Sequence, residues 1–222
     1  MELLHYFDHR FNKPIQPTIN TLPFVTISRE TGCDAVTITK LLIKKLKTRG
    51  QNWKYVDKEI LNASAKKLKL DKSKIEYVFD AAEKTHADEI LSALSSRYYK
   101  SDKMVKNAIT DVVKHMAGEG NVILVGRGGA AITSKMKLGT HIRLAAPLAW
   151  RIDSLMSRKN QSKEEISYFI INTDRKRKRL MEVFSEDKSK DIPFDIVINC
   201  ARFSQNQIVD IIIDIMERRN SI

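Results

Sequence analysis

Residues 24–46 read FVTISRETGCDAVTITKLLIKKL, and this stretch decides the fold. Phe24 to Ser28 reads as a short strand, an apolar, β-branched run suited to a sheet covered on both faces. Ser28-Arg29-Glu30 closes the run, Gly32 turns the chain, and a helical period follows. Ile38, Leu41, Leu42 and Leu46 share one face of that helix. Asp34 is placed to cap its start and Gly50 to stop it. Strand, tight turn and helix in this order present backbone N–H groups to a phosphate. The loop departs, however, from G-x-x-x-x-G-K-[ST], in which glycines let the backbone cradle phosphates and the lysine neutralises them. In the version of the loop that ends G-K-G-T, with Thr37 set on the final threonine, Ala35 stands at the lysine and Asp34 at the glycine before it, and only Gly32 and Thr37 survive. Asp34 also puts a carboxylate where an anion would be repelled. Two readings stay open: a working phosphate loop, or a turn that is now only structural.

The alternation continues outward from this stretch. Strands are expected at 53–57, 122–125, 140–145 and 195–199. Helices are expected at 58–68, 130–136, 148–158 and 163–184, and from a Ser204 cap to 218. Pro147 suits the first turn of its helix. Residues 71–118 contain no proline, and no glycine before Gly118. They read as two or three helices, with breaks near 84 and 100. Strands alternating with helices predict an α/β domain with a parallel sheet of five strands. Residues 1–22, with Pro14 and Pro17, read as an N-terminal arm. Residues 23–222 then form a single domain, with a helical insertion at about 71–118 and a lid-like helical region at about 158–190.

The net charge is +12, and 42% of the residues are hydrophobic. No apolar run approaches the roughly 18 residues of a membrane helix, and no secretory signal is legible at the N-terminus. Cys33 and Cys200 lack metal-type spacing and read as free thiols in a reducing compartment, so a cytoplasmic protein is expected. The five histidines show no ligand spacing, and His141 reads as a core or edge residue of a strand. The oligomeric state is not legible. Charge invites a polynucleotide reading. The densest basic segment, 158–190, holds ten Lys or Arg against six Asp or Glu and includes five consecutive bases at 175–179. No aromatic residues are interleaved to stack single-stranded bases. Nucleotide phosphates are therefore a more economical partner than nucleic acid.

Candidate site residues gather where strands end, because ligands bind beyond the carboxyl ends of open parallel sheets. Arg29 can supply the missing lysine's charge, with bidentate geometry. Glu30 is placed either to brace Arg29 or to meet a magnesium ion through water. Arg127, between Gly126 and Gly128, is an unusual choice for packing and a good one for phosphate. Asp57 ends the second strand, where capping the next helix is its simpler role.

Five segments then carry a resemblance. ISRETG followed by ITKLLIKKL, Tyr55-Val56-Asp57-Lys58-Glu59-Ile60, Val122-Ile123-Leu124-Val125-Gly126-Arg127-Gly128, Ala145-Ala146-Pro147-Leu148-Ala149-Trp150-Arg151 and Phe194-Asp195-Ile196-Val197-Ile198-Asn199-Cys200 keep the order seen in the cytidylate-kinase-like family. That branch of the P-loop nucleoside monophosphate kinases has a first loop resembling I-S-R-E-x-G-S-G-G, already without the lysine. Here its G-S-G-G run becomes Gly32-Cys33-Asp34-Ala35. The resemblance implies a three-layer α/β/α P-loop kinase-like fold. It also implies phosphoryl transfer from ATP with Mg2+ to a nucleoside monophosphate or other small phosphorylated acceptor. Arg29, Arg127 and Arg177 would act on the phosphoryl group. Ser28, Glu30, Gly32, Thr37, Gly126, Arg151 and Asp174 would bind phosphate or nucleotide, and Asp57 would face the acceptor. Thr37 or Glu30 would meet Mg2+ through water. Asp174 and Arg177 match a D-x-x-R lid motif. Gly128 replaces the aspartate of a G-R-D motif, and Leu61-Asn62-Ala63 lacks a tyrosine–arginine pair expected for base recognition. The alternatives are a binding module of the same fold that no longer transfers phosphate, and a basic protein associated with nucleic acid.

Overall fold

The computed structural model describes residues 22–57, 99–185, 194–219 and 222, with only the backbone described for 99–105. The expected arm, the helix at 58–68, the insertion up to 98 and the end of the lid-like region at 186–190 lie outside the described residues. Five strands form one parallel sheet: β1 Phe24–Arg29, β2 Lys54–Val56, β3 Val122–Val125, β4 Gly139–Ala145 and β5 Ile196–Asn199. Their order is β2-β3-β1-β4-β5. β1 lies at the centre, with Phe24 beside Val122 on one side and Gly139 on the other.

Alternation along β1 divides the core. Val25 and Ile27 face helices α1 (Ala35–Thr48) and α6 (Gln205–Arg218), packing with Ile38, Leu42, Ile212 and Ile213. Phe24 and Leu124 face the other way, against Ile109, Val112 and Met116 of α2 (Tyr99–Glu119). Both faces of the sheet are covered, so its strands read as nearly unbroken apolar runs. α3 (Gly129–Thr133), α4 (Leu148–Met156) and α5 (Lys163–Phe184) complete the described helices.

The differences from the sequence expectation are local. β1 runs one residue longer, through Arg29, because its last residue still pairs with Leu144 of β4. β2 and β5 are shorter than 53–57 and 195–199. α3 is confined to Gly129–Thr133, and α4 stops at Met156 rather than 158. Pro147 is the N-cap of α4, with extended backbone (ψ 143°), not a member of its first turn. The described part of α2 starts at Tyr99, so the break expected near 100 borders residues outside the described ones. Ser162 and Ser204 each close a reciprocal capping box, with Glu165 and Gln207, which is why α5 and α6 start where the sequence places them.

His141 is a core residue. Its Nδ1 lies 2.8 Å from the Thr26 hydroxyl on the neighbouring strand, and its backbone N–H donates to Asp195. Burial pushes its pKa down, against the pull of Asp195.

Candidate functional site

Three arginines meet at the carboxyl end of the sheet. Arg29 ends β1, Arg127 follows β3, and Arg177 comes from the middle of α5. Arg127 lies in a turn where Gly126, Arg127 and Gly128 all have positive φ (69°, 54° and 72°). An L-residue in that region costs about 1–2 kcal/mol, so the turn holds Arg127 against its own preference. Gly126 makes room for a charge. A Cβ built there would lie 1.9 Å from a guanidinium nitrogen of Arg29. Gly126→Ala is therefore expected to evict the Arg29 head group and lower anion affinity several-fold, measured by calorimetry with a phosphorylated ligand. Unchanged affinity would mean that the Arg29 position is incidental.

Two carboxylates border the cluster, and Asp174 lies 3.7 Å from Nη1 of Arg177. Asp57 lies 3.7 Å from Nε of Arg127. Arg177 donates to the Arg29 carbonyl at 3.2 Å and to the Thr31 hydroxyl at 3.0 Å. Its pKa is pushed down to about 10, by burial first and by the charge of Arg29 next, with Asp174 pulling the other way. Burial also lowers Arg29, with Asp57 opposing and Arg127 adding to the shift. Among the described residues, none hydrogen-bonds to the Arg29 guanidinium. Three cations this close are stabilised by an anion that enters between them.

The loop after β1 is held from outside. The Thr31 N–H and hydroxyl both donate to Asp174, at 2.8 and 2.7 Å. Arg151 pairs with Asp174 and donates to the carbonyls of Ala146 and Thr31. Gly32 has φ 102°, and a Cβ there would meet Arg151 at 2.9 Å, so α4 packs directly on the turn. Glu30 turns to β4: it accepts from Arg143 at 3.2 Å and from the Ala146 N–H at 3.1 Å, and lies 3.5 Å from Arg151. The structure thus places Glu30 with Arg143 and Arg151 rather than with Arg29. Arg151 and Asp174 join the loop to α4 and α5, Asp174 also lies 3.7 Å from Nη1 of Arg177 in the three-arginine cluster, and Ser28 lies on β1 one residue before Arg29.

Asp34 is the N-cap of α1. It accepts from the Thr37 N–H at 3.1 Å and the Thr37 hydroxyl at 2.9 Å, and pairs with Arg158 at 3.0 Å. The N–H groups of Thr31, Cys33, Ala35 and Thr37 all donate within the protein. Beside this turn lies a cleft of about 200 Å³, lined by residues that include Arg29, Cys33, Asp34, Arg158 and Arg177. Among the described residues, no group of three or more His, Cys, Asp or Glu could hold a metal ion, and no helix is long and apolar enough to cross a membrane.

Sequence reasoning missed Thr31, Arg143 and Arg158. Arg158 carried a signal: it follows Arg151 by seven residues, two helical turns, and so reaches the same side. Gly128 also has a local cause. A Cβ there would lie 2.7 Å from the Phe184 ring, so the end of α5 fills the space a larger residue would need.

The five-stranded parallel sheet, its covering helices and the site at its carboxyl edge define a P-loop kinase-like α/β protein. The chain belongs to the cytidylate kinase-like family, whose model matches residues 24–202. An uncharacterized protein from Eubacterium ventriosum ATCC 27560 has a similar structure, with TM-score 0.61 and 18% identity over 89% of this chain and 99% of that one. A shikimate kinase from Bacteroides thetaiotaomicron superposes with TM-score 0.51 and 12% identity, over 88% of this chain and 98% of that one. At these identities the likeness is one of fold. A curated uronate isomerase from Corynebacterium glutamicum is 24% identical over 128 residues, 57% of this chain. The chain spans only about a quarter of that protein's length (24%).

Proposed function

We propose that this chain is a phosphotransferase that moves a phosphoryl group from a nucleoside triphosphate to a nucleoside monophosphate or another small phosphorylated acceptor. The observation that carries this reading is the convergence of Arg29, Arg127 and Arg177, bordered by Asp57 and Asp174, at the ligand-binding edge of a kinase-family sheet. Phosphoryl transfer needs little covalent chemistry from the protein; positioning and charge stabilisation suffice. Arg127, fixed by its strained turn, orients an anionic acceptor. Arg29 and Arg177 line the cleft and offset charge on the group in transit. A magnesium ion arriving with the triphosphate would find a hard oxygen donor in the Thr37 hydroxyl, and when bound it would neutralise phosphate charge. Glu30 does not fit that role, because Arg143, Arg151 and the Ala146 N–H already engage its oxygens.

One observation favours a second reading, a binding module that no longer transfers phosphate. Asp174, Asp34 and the loop's own carbonyls take the N–H groups of Thr31, Cys33, Ala35 and Thr37, which a phosphate cradle would leave for its ligand. Titration with ATP and with CMP, each with Mg2+, followed by a turnover assay, separates the two. Binding with acceptor-dependent ADP formation supports the first reading, and binding without turnover supports the second.

A further inference from the structure

The chain has two cysteines, and the fold brings them together. Cys33 lies on the turn between β1 and α1, and Cys200 on the turn after β5. Both strands pair with β4: Arg29 is in register with Leu144, and Asn199 with Ala145. The Glu30 N–H donates to the Leu144 carbonyl and the Cys200 N–H to the Ala145 carbonyl. The two turns thus leave the same end of β4. Both side chains enter the apolar cluster between the sheet and helices α1 and α6, each 6% exposed. There the two thiols lie close enough for each to shift the other's pKa. Cys33 also lines the cleft, beside Arg29, Asp34 and Arg177. One residue of the pair therefore forms part of the cleft wall.

We propose that Cys33 and Cys200 form a redox modification site, in which a hydroperoxide entering the cleft converts them to an intramolecular disulfide that ties the β1–α1 loop to β5. In the first step the Cys33 sulfur attacks a peroxide oxygen. The O–O bond breaks, Cys33 becomes a sulfenic acid, and with hydrogen peroxide one water leaves. In the second step the Cys200 sulfur attacks the Cys33 sulfur. The S–O bond breaks, hydroxide departs, and the proton lost by Cys200 completes a second water. The peroxide is thus reduced by two electrons, and the two thiols are together oxidised by two. The order of attack follows from position: Cys33 borders the cleft and meets the peroxide first, and Cys200, which is not among the cleft-lining residues, resolves the sulfenic acid.

This site stands whether or not the chain transfers phosphate, and its test does not need turnover. The reduced full-length chain is treated with a few equivalents of hydrogen peroxide, quenched with N-ethylmaleimide and weighed intact without reductant. The expected product is a monomer lighter by about 2 Da that takes up no maleimide and regains two alkylatable thiols with dithiothreitol. Its unfolding midpoint should rise by about 5 °C or more, because the bond closes a long loop of the unfolded chain. In Cys200→Ser, oxidation should stop at Cys33 as a sulfenic acid that dimedone captures. A monomer that keeps both thiols, or oxidation yielding only intermolecular dimers or sulfinic acid, overturns the proposal. So does a disulfide monomer with a lowered midpoint, since the bond would then form only in a distorted chain. The wild-type mass decides the matter even if a serine variant fails to fold.

Discussion

Replacing Arg127 by glycine is expected to weaken phosphate-ligand binding by about 10- to 100-fold while leaving the fold as stable or slightly more so. The two effects have separate causes. Charge-assisted hydrogen bonds contribute about 1.5–3 kcal/mol each, and every 1.4 kcal/mol is tenfold in affinity. The backbone of Arg127 has φ 54°, which costs an L-residue about 1–2 kcal/mol and glycine almost nothing. Glycine's extra freedom when unfolded returns roughly 0.5–1 kcal/mol of that. The variant also removes a cation that crowds Arg29 and Arg177. Strain retained at a residue that contributes little to the core is what a binding role leaves behind. Calorimetric titration with a nucleoside monophosphate, alongside thermal unfolding, reads both quantities. Unchanged affinity would remove Arg127 from the site, and a large loss of stability would make it a structural residue.

The second large effect is expected at Asp34. Its carboxylate occupies the start of α1, where it accepts from the Thr37 N–H and hydroxyl and holds Arg158. Asp34→Gly removes a negative charge from the cleft, frees Arg158 for an incoming phosphate and releases the Thr37 N–H. Glycine is itself a tolerated N-cap, so the lost cap costs only a few tenths of a kcal/mol. ATP affinity should rise by roughly tenfold, the scale of one gained charge-assisted contact. The exposure of Arg158 to water limits the gain. Should Asp34→Gly bind ATP no better, or worse, Asp34 serves the loop as a cap or meets the metal of the incoming nucleotide. The electrostatic account of the loop then fails.

The fold was legible because its signals are local. Val122–Val125 is a bare apolar run, and Ser162 and Ser204 announce α5 and α6 through residues three positions away. The convergence of Arg29 and Arg127 on one edge followed from the parallel topology alone, since both end strands that run the same way. The pairings within the site were not legible. Glu30 meets Arg143 across 113 residues and Thr31 meets Asp174 across 143. Arg29 would have been an equally good partner for Glu30 by charge. The choice is made by the register of β1 on β4 and by the packing of α4 on Gly32, neither of which a local pattern encodes. Asp34 shows the same limit: cap and anion repeller predict one residue type, and the structure shows the cap together with a counter-ion from beyond α4.

The central claim is that the arginine cluster serves phosphoryl transfer. Arg177 tests it most directly, because a lid arginine acts mainly on the charge that develops in the transition state. The measurement is ADP formation from ATP and Mg2+ with CMP and other nucleoside monophosphates as acceptors, for the wild-type chain and for Arg177→Ala, with affinities measured in parallel. Acceptor-dependent ADP formation is expected in the wild type, lowered about 100-fold or more in Arg177→Ala, with affinities changed only a few-fold. No ADP formation with any acceptor, together with micromolar, salt-sensitive binding to DNA or RNA, would contradict it.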